Sequence, residues 1–218
     1  DGAVRGAALE VHRMSAPLTQ HQIEIQRNLA AWENKPLLRK IYAGFYERIV
    51  RQIDPRVSGR ILEIGSGVGN LKSRLPDAIA SDLFPNPWLD LVCDGYELPF
   101  RDRAIAHLIL FDVFHHLEKP ALFLREARRV LAPGGRVIIF EPFVSYASFP
   151  VYGLLHHEPV AMRKPIDRTD APPAPRSYYA AQGNATRLFL RGETPPWPPG
   201  WRFRHGEAFA AFAYLFSG

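Results

Sequence analysis

The amino-acid sequence predicts an α/β fold built on a doubly wound, mostly parallel sheet, and two observations predict it. Between residues 59 and 144, short apolar runs alternate with loops and helical stretches. Several of these runs are continuously apolar, which is typical of parallel strands that are covered on both faces. A chain that alternates strands and helices in this way usually places its strands in one parallel sheet.

Five apolar runs are the candidate strands of this sheet. A helix predicted over Pro120–Leu131 precedes the last run, because its apolar residues recur at helical spacing. Pro133-Gly134-Gly135 is expected to end that helix and to turn the chain into the final strand. The candidate strands are Arg60–Glu63, Ala78–Ser81, Leu89–Cys93, Ala106–Phe111 and Arg136–Phe140.

Three segments are expected along the chain. Residues 1–58 form an N-terminal helical segment, whose clearest helix, Leu37 to Ile53, packs on the core or covers it as a lid. Residues 59–144 form the ligand-binding core. Residues 145–218 are rich in proline and aromatic residues, and we expect substrate-side loops and helices that can complete the sheet.

The composition argues against several classes of protein. Of the 218 residues, 47% are apolar, which argues against global disorder. The single cysteine, Cys93, excludes an internal disulfide framework and favours a cytoplasmic location. No apolar run reaches the roughly 18 residues of a spanning helix, so stable membrane insertion is not expected. The basic residues behind the +5 charge are scattered, so a nucleic-acid partner is not expected.

A glycine-rich loop follows the first candidate strand. Gly65, Gly67 and Gly69 permit a sharp turn and let a ligand approach the main chain closely. Their spacing lacks the additional residue that a dinucleotide-binding loop carries between its second and third glycines. Glu63, just before the glycines, can attract an ammonium group or order the loop.

Acidic residues also stand at the ends of the next two candidate strands. The carboxylate of Asp82 can accept hydrogen bonds from both hydroxyls of a ribose. Asp94 can accept from the amino group of adenine, while the amide of Gly95 can donate to a ring nitrogen. Open α/β sheets bind ligands at the carboxyl edge, so three acids there predict a single site.

These stretches resemble the class I S-adenosylmethionine (SAM)-dependent methyltransferases, of the broad group called type 11. The resemblance covers residues 37–144 and implies a Rossmann-like fold with SAM as the cofactor. Its motifs are Ile61–Gly69, Asp94 with Leu98-Pro99-Phe100, Phe111-Asp112-Val113-Phe114-His115-His116-Leu117, and Glu126–Gly135.

The resemblance also implies a role for each position of the site. In that family the equivalents of Glu63 and the glycines hold the methionine moiety, and the positions of Asp82 and Asp94 hold the ribose and the adenine. The backbone near Phe111 lines the methionine end. The cofactor-binding residues expected here are Glu63, Gly65, Ser66, Gly67, Gly69, Asn70, Asp82, Leu83, Asp94, Gly95 and Phe111.

Two features depart from the family's pattern. Leu83–Trp88 is short and rich in proline where the family often has a longer helix, so a loop is expected beside the adenine. The family's sheet usually ends in an antiparallel hairpin, and no such pair of strands is evident between Trp201 and Gly218.

A histidine pair after the fourth strand is the candidate for catalysis. His115 or His116 can serve as a general base, and a structural pair at a strand end is the alternative. Tyr42 and Tyr46 are candidates to cap the cofactor or to pack in the core. No metal is expected, because His156-His157-Glu158 lacks further ligands at metal-binding spacing.

The function that the resemblance implies is methyl transfer from SAM to O, N or C of a small or amphiphilic acceptor. Because the cofactor supplies the electrophile, such a protein mainly positions and desolvates the reactants. The alternatives are an RNA or protein methyltransferase, suggested by the positive charge, and a non-catalytic SAM-binding domain. The glycine spacing disfavours a nicotinamide oxidoreductase, and the oligomeric state is not predicted.

Overall fold

The structure is a computed structural model that describes residues 15–141, 160–163, 165–167, 179–181, 183–190 and 200–207, without the side chains of residues 15–22, 24 and 190. The helices in these ranges are α1 (Ser15–Asn34), α2 (Pro36–Val50) and α3 (Pro120–Val130). The strands are β1 (Arg60–Ile64), β2 (Ile79–Asp82), β3 (Leu91–Val92), β4 (Ile105–Phe111) and β5 (Leu131–Phe140).

The five strands form one sheet in the order β3-β2-β1-β4-β5, and every pair of neighbours is parallel. The predicted parallel α/β fold is therefore confirmed. The direction of the strand order reverses between β1 and β4. In open α/β sheets such a reversal opens a crevice at the carboxyl ends of the two strands, and ligands bind there.

The central strand β4 shows why both faces of the sheet are apolar. Leu108 and Leu110 pack on the face that α3 covers with Phe123, while Ile109 packs on the other face against Ile49 of α2. All five side chains are at most 1% exposed. Alternate residues of β4 thus bury against different helices, which explains its continuous apolar run.

Several predicted boundaries are wrong by a few residues. The helix predicted to Ile53 ends at Val50, because the amides of Gln52 and Ile53 bond to carbonyls three residues back and tighten the last turn. The strand predicted over Leu89–Cys93 is only Leu91–Val92. The amide of Asp90 still donates to the carbonyl of Ala80 at 2.9 Å, but the amide of Ala80 donates to the carboxylate of Asp90 at 2.8 Å, so a side chain replaces the main-chain acceptor there.

The join between α3 and β5 also differs from the prediction. The helix predicted to Leu131 ends at Val130, and β5 begins at Leu131 instead of Arg136. Leu131 pairs with Ile105, and Arg136 pairs with His107, only two residues further along β4. Pro133-Gly134-Gly135 therefore belongs to a bulge within β5, where proline and glycine interrupt the ladder.

The connections on the β2 side of the sheet are short. A 3₁₀ helix, Asn70–Ser73, is the only helical turn between β1 and β2. Residues 83–90, between β2 and β3, contain no helix, so the loop predicted over Leu83–Trp88 is confirmed. The side-chain amide of Asn86 donates to the carbonyl of Gly67 at 3.0 Å and fastens this loop to the glycine-rich loop.

The C-terminal part of the chain is described only in pieces. Thr186–Leu190 forms a π-helical turn, and residues 201–207 form no strand. Residues 208–218, the rest of the stretch without an evident hairpin, lie outside the described residues, as does His156-His157-Glu158. The boundaries at residues 58/59 and 144/145 stay predictions.

The described part of the chain contains no helix that is both long enough and apolar enough to cross a membrane.

The bulge in β5 leads to a stability prediction. A Cβ atom at Gly135 would lie 2.8 Å from the carbonyl oxygens of Ala106 and Ala132. We expect Gly135→Ala to lower the free energy of unfolding by about 1–3 kcal/mol, because the main chain must move to admit the methyl group. Chemical denaturation of the purified protein measures this change.

Gly44→Ala in α2 is the matched control, because nothing lies within 4 Å of a Cβ atom at Gly44. We expect the free energy of unfolding of this variant to be higher by about 0.5–1 kcal/mol, because alanine has a higher helix propensity than glycine. Equal effects of the two substitutions would contradict the close approach at Gly135.

Candidate functional site

The carboxyl edge of the sheet brings the predicted cofactor residues together. The glycine-rich loop follows β1, Asp82 ends β2, and Phe111 ends β4. Asp94 lies two residues beyond the end of β3. Since all of these strands are parallel, their carboxyl ends meet at one edge, beside the crevice between β1 and β4.

The three glycines of the loop all adopt left-handed backbone conformations, with φ of 70° at Gly65, 51° at Gly67 and 70° at Gly69. Other residues adopt this region only with strain. Gly65 is also constrained by its neighbour, because a Cβ atom there would lie 2.3 Å from a methyl carbon of Val113. The loop after β1 and the turn after β4 are therefore in direct contact.

Ser66 fastens the loop to β2. Its amide donates to the carbonyl of Ser81 at 2.9 Å, and its hydroxyl oxygen accepts the amide of Ser81 at 3.0 Å. Ser66 is buried, so these hydrogen bonds are shielded from water. This places its side chain beneath the loop, where it positions the glycines.

Asp82 holds the loop from the adjacent strand end. One carboxylate oxygen accepts the amide of Gly67 at 3.1 Å, and the other accepts the amides of Leu83 at 2.7 Å and Phe84 at 3.4 Å. The residue is only 8% exposed. A carboxylate offers about four acceptor positions, so Asp82 can order the loop and still accept from a ribose hydroxyl at the position that remains.

Glu63 lies beneath the loop and is 4% exposed. Burial raises the pKa of its carboxyl group to about 7, and the negative charge of Asp82 adds to the rise. A hydrogen bond with Ser66 and the charge of Lys72 act in the opposite direction. A buried carboxyl group of this kind favours a cationic partner, because a positive charge beside it would offset the cost of ionisation.

The two tyrosines of α2 differ in their surroundings. Tyr46 is buried, and its hydroxyl hydrogen-bonds to the side chain of Asn70 at the end of the glycine-rich loop. Burial, together with the charge of Glu63, raises the pKa of Tyr46 well above its usual value. Tyr42 instead packs edge-on against Phe111, with ring centres 5.3 Å apart.

The helix α1 also reaches the loop. Ile25 is buried, and its terminal methyl group would lie 3.8 Å from a Cβ atom placed on Gly67. A residue of the N-terminal helical segment therefore lies against the glycine-rich loop.

Asp94 and Gly95 form a tight turn after β3. A carboxylate oxygen of Asp94 accepts the amide of Tyr96 at 2.9 Å, and its carbonyl accepts the amide of Glu97 at 3.1 Å. Gly95 lies beside the ring of Phe123, which would be 3.5 Å from a Cβ atom there. The turn thus rests on α3.

The histidine pair lies in a short 3₁₀ helix, Phe114–His116, after β4. Nδ1 of His115 is 2.6 Å from a carboxylate oxygen of Glu141, and His115 is 1% exposed. Nδ1 of His116 is 2.8 Å from the carbonyl oxygen of Tyr179, and His116 is only partly buried. Both imidazoles are therefore anchored through Nδ1.

Glu141 is a residue of this site that the sequence reasoning missed. Its second carboxylate oxygen accepts the amides of Val113, at 2.7 Å, and of Phe114. The signal was available, because Glu141 directly follows β5 and is an acid at a strand end like Asp82. It joins the turn after β4 to the edge of β5.

Ligand atoms of Asp112, His115 and Glu141 lie within 4.8 Å of one another, a spacing at which a metal ion can bind. The carboxylate of Glu141 already accepts from His115 and from two backbone amides. Asp112 is exposed. These hydrogen bonds account for the cluster without an ion, and the absence of a metal stays a prediction.

The raised pKa of Glu63 leads to a test by pH. Its carboxyl group binds a proton more tightly in the folded protein than in the unfolded chain, so its contribution to stability is complete below pH 4.5 and is lost as the pH rises through about 7. We expect the free energy of unfolding of Glu63→Gln to rise relative to that of the wild type across this pH range, by on the order of 3 kcal/mol. Thermal unfolding from pH 4 to 8 measures the difference.

Glu33→Gln is the matched control, since Glu33 is exposed on α1. Its stability should follow the wild type across the same pH range. A constant difference between Glu63→Gln and the wild type would contradict the raised pKa.

Known proteins match the central part of the chain. Residues 62–139 match the family model described as a methyltransferase domain. A probable tRNA methyltransferase 9B of Mus musculus is 42% identical over 53 residues, which are 23% of this chain and 12% of the mouse protein. An uncharacterized methyltransferase of Mycobacterium tuberculosis is 31% identical over 98 residues, 38% of this chain and 40% of that protein.

An uncharacterized protein of Methanocaldococcus jannaschii is 30% identical over 107 residues, 45% of this chain and 51% of that protein. The chain thus spans about half or less of the curated relatives it matches. Among solved structures, a SAM-dependent methyltransferase of Thermotoga maritima, a possible histamine N-methyltransferase, is 21% identical with a TM-score of 0.43. That match covers 53% of this chain and 58% of the other.

The family match and the fold coincide along the chain. Residues 62–139 begin within β1 and end within β5, so they include β2, β3 and β4 whole and most of the two other strands. They also include the glycine-rich loop and the acids at the ends of β2 and β3. Over residues 62–139 the chain is therefore similar to a methyltransferase domain.

Proposed function

We propose that this chain binds SAM and transfers its methyl group to O, N or C of a small or amphiphilic acceptor. The observation that carries the proposal is the placement of Glu63, Asp82 and Asp94 at three neighbouring strand ends around a loop of left-handed glycines. These three acids would serve the ammonium, ribose and adenine groups of one SAM molecule.

The methionine end of SAM would lie at β1. Glu63 is buried beneath the loop, and its carboxylate is suited to the ammonium group of the cofactor. Gly65, Gly67 and Gly69 leave the main chain open to close approach, while Ser66 and Asn70 hold the loop in shape. The backbone at Phe111 borders the same crevice from β4.

The nucleoside end would lie towards β2 and β3. Asp82 offers its remaining acceptor position to a ribose hydroxyl, and Leu83 follows it at the same strand end. Asp94 and Gly95 offer an acceptor and an amide donor to adenine. In this arrangement α1, with Ile25 against Gly67, forms part of the cover over the cofactor.

The histidine pair would act at the methyl-transfer end. SAM supplies the electrophilic methyl group, and the acceptor needs to lose a proton when its nucleophile is a hydroxyl or an ammonium. A neutral imidazole that donates from Nδ1 has a basic Nε2. His116 is the better placed of the two as a base, because it is partly exposed while His115 is almost fully buried.

Calorimetric titration with S-adenosylhomocysteine tests the cofactor assignment. We expect the wild type to bind and Asp82→Asn to bind more weakly by about tenfold or more, because charge-assisted hydrogen bonds to the ribose are lost. Failure of the wild type to bind would contradict the proposed function.

Asp77→Asn provides the matched control for the same titration. Asp77 is an exposed acid just before β2, so the substitution makes the same change of charge away from the site. We expect its affinity to equal that of the wild type. Equal affinity of Asp82→Asn and the wild type would instead contradict the ribose assignment.

A second candidate function, methylation of RNA, is favoured by two observations: the net charge of +5 and the similarity to probable tRNA methyltransferase 9B over 53 residues. Methyl-labelled SAM distinguishes the candidates. We expect label to enter small or amphiphilic compounds of a cell extract and neither tRNA nor protein. Label in tRNA would contradict a small or amphiphilic acceptor and support RNA methylation. Binding of SAM without any transfer would indicate a non-catalytic SAM-binding domain.

Once an acceptor is known, His116→Asn tests the proposed base. We expect kcat to fall by about 10²–10⁴-fold, the usual contribution of general-base catalysis, while the affinity for S-adenosylhomocysteine is unchanged. An unchanged kcat would show that His116 has only a structural role.

A further inference from the structure

We propose that Glu126 and Arg129 of α3 are positioning residues for the adenine end of the cofactor. This inference rests on the proposed function, because it concerns how the turn at Asp94 is held. Neither residue lies at a strand end, and neither was predicted as part of the site. Their contacts converge on residues 97–103, which we call the adenine-side loop.

The strand before this loop is too short to position it. β3 has only two residues, Leu91 and Val92, and lies at the edge of the sheet. It pairs with β2 alone, and two further backbone hydrogen bonds flank it, from Asp90 to the carbonyl of Ala80 at 2.9 Å and from Cys93 to the carbonyl of Asp82 at 3.0 Å. The turn at Asp94 therefore needs support from outside the sheet.

Arg129 supplies most of that support. Its guanidinium donates to the carbonyl oxygens of Leu98, at 3.0 Å, and Phe100, at 2.8 Å. It also donates to the carboxylate of Asp102 at 2.9 Å. One planar side chain thus holds three points of the adenine-side loop, a use of several donors that lysine cannot reproduce.

Glu126 completes the arrangement from the preceding turn of α3. One carboxylate oxygen accepts the amide of Leu98 at 2.8 Å, and both oxygens accept from Arg129, at 2.6 and 2.9 Å. Leu98 is therefore held through its amide by Glu126 and through its carbonyl by Arg129. Charge-assisted pairs of this bidentate kind have a defined geometry.

The helix that carries both residues is rigidly placed. Phe123, Ala127 and Val130 of α3 are fully buried against the sheet. At the start of α3, the amide of Lys119 donates to the hydroxyl of Tyr96 at 3.0 Å, two residues from Asp94. The turn that holds Asp94 and Gly95 is therefore fixed relative to the sheet through α3.

Binding of two ligands tests the inference. S-adenosylhomocysteine and S-inosylhomocysteine differ at the base, where the second carries a carbonyl in place of the adenine amino group. We expect the wild type to prefer the adenine compound, because the carboxylate of Asp94 accepts from an amino group and repels a carbonyl oxygen.

In Arg129→Lys and Glu126→Gln we expect this preference to fall by about tenfold, which corresponds to roughly 1.4 kcal/mol. The loss should come mainly from weaker binding of S-adenosylhomocysteine. Arg128→Lys is the matched control, since Arg128 lies on the same helix with its guanidinium beside Gly200, and it should keep the wild-type preference.

A role in folding alone would give a different result. Binding is measured well below the unfolding temperature of each variant, and amide hydrogen exchange of residues 94–103 reports the loosening of the loop. If that loop exchanges faster while the preference for adenine is unchanged in both variants, the inference is overturned. If Arg129→Lys does not fold, the test uses Glu126→Gln alone. We expect that variant to fold, because glutamine keeps an acceptor for the amide of Leu98.

The proposed function and this inference fail in distinguishable ways. A wild type that binds neither compound contradicts SAM binding itself. A wild type that prefers the adenine compound, with variants that show the same preference, contradicts only the positioning role of Glu126 and Arg129.

Discussion

The contact between the glycine-rich loop and the turn after β4 is the constraint on which the site depends. Gly65 has no side chain, so Val113 can pack directly against it. Acids then hold the two sides of this contact, because Asp82 accepts the amide of Gly67 and Glu141 accepts the amide of Val113. Each acid comes from a neighbouring strand end. The parallel sheet therefore places the carboxyl ends of β2, β1, β4 and β5 side by side, where these hydrogen bonds can form.

The same carboxylates that order the loops are those expected to bind the cofactor. Asp82 accepts three backbone amides and Asp94 accepts one, and each carboxylate retains an acceptor position for a ligand. Glu63 differs, because its burial disfavours the ionised form and so lowers the stability of the protein near neutral pH. Groups held in an unfavourable environment often serve function, and a bound cation would relieve this cost.

Most of the fold could be predicted because strands covered on both faces have continuous apolar sequences. The short loop after Asp82 was also predictable, since proline disfavours a helix there. The bulge at Pro133-Gly134-Gly135 was not, because a turn before a strand and a bulge within one use the same residues. Glu141 was missed although it follows the strand-end rule, and only its hydrogen bonds distinguish it from an ordinary surface acid.

The sequence by itself determined the fold class, the glycine-rich loop and the acids that follow β1 to β3, because these depend on local spacing and on the side-chain pattern of buried strands. Only the tertiary structure decided which residues hold them in place. Val113, Glu126, Arg129 and Glu141 act across distances of about 28 to 48 residues along the chain. Hydrogen bonds between such distant residues depend on how α3 and β5 pack against the sheet, which no local pattern encodes.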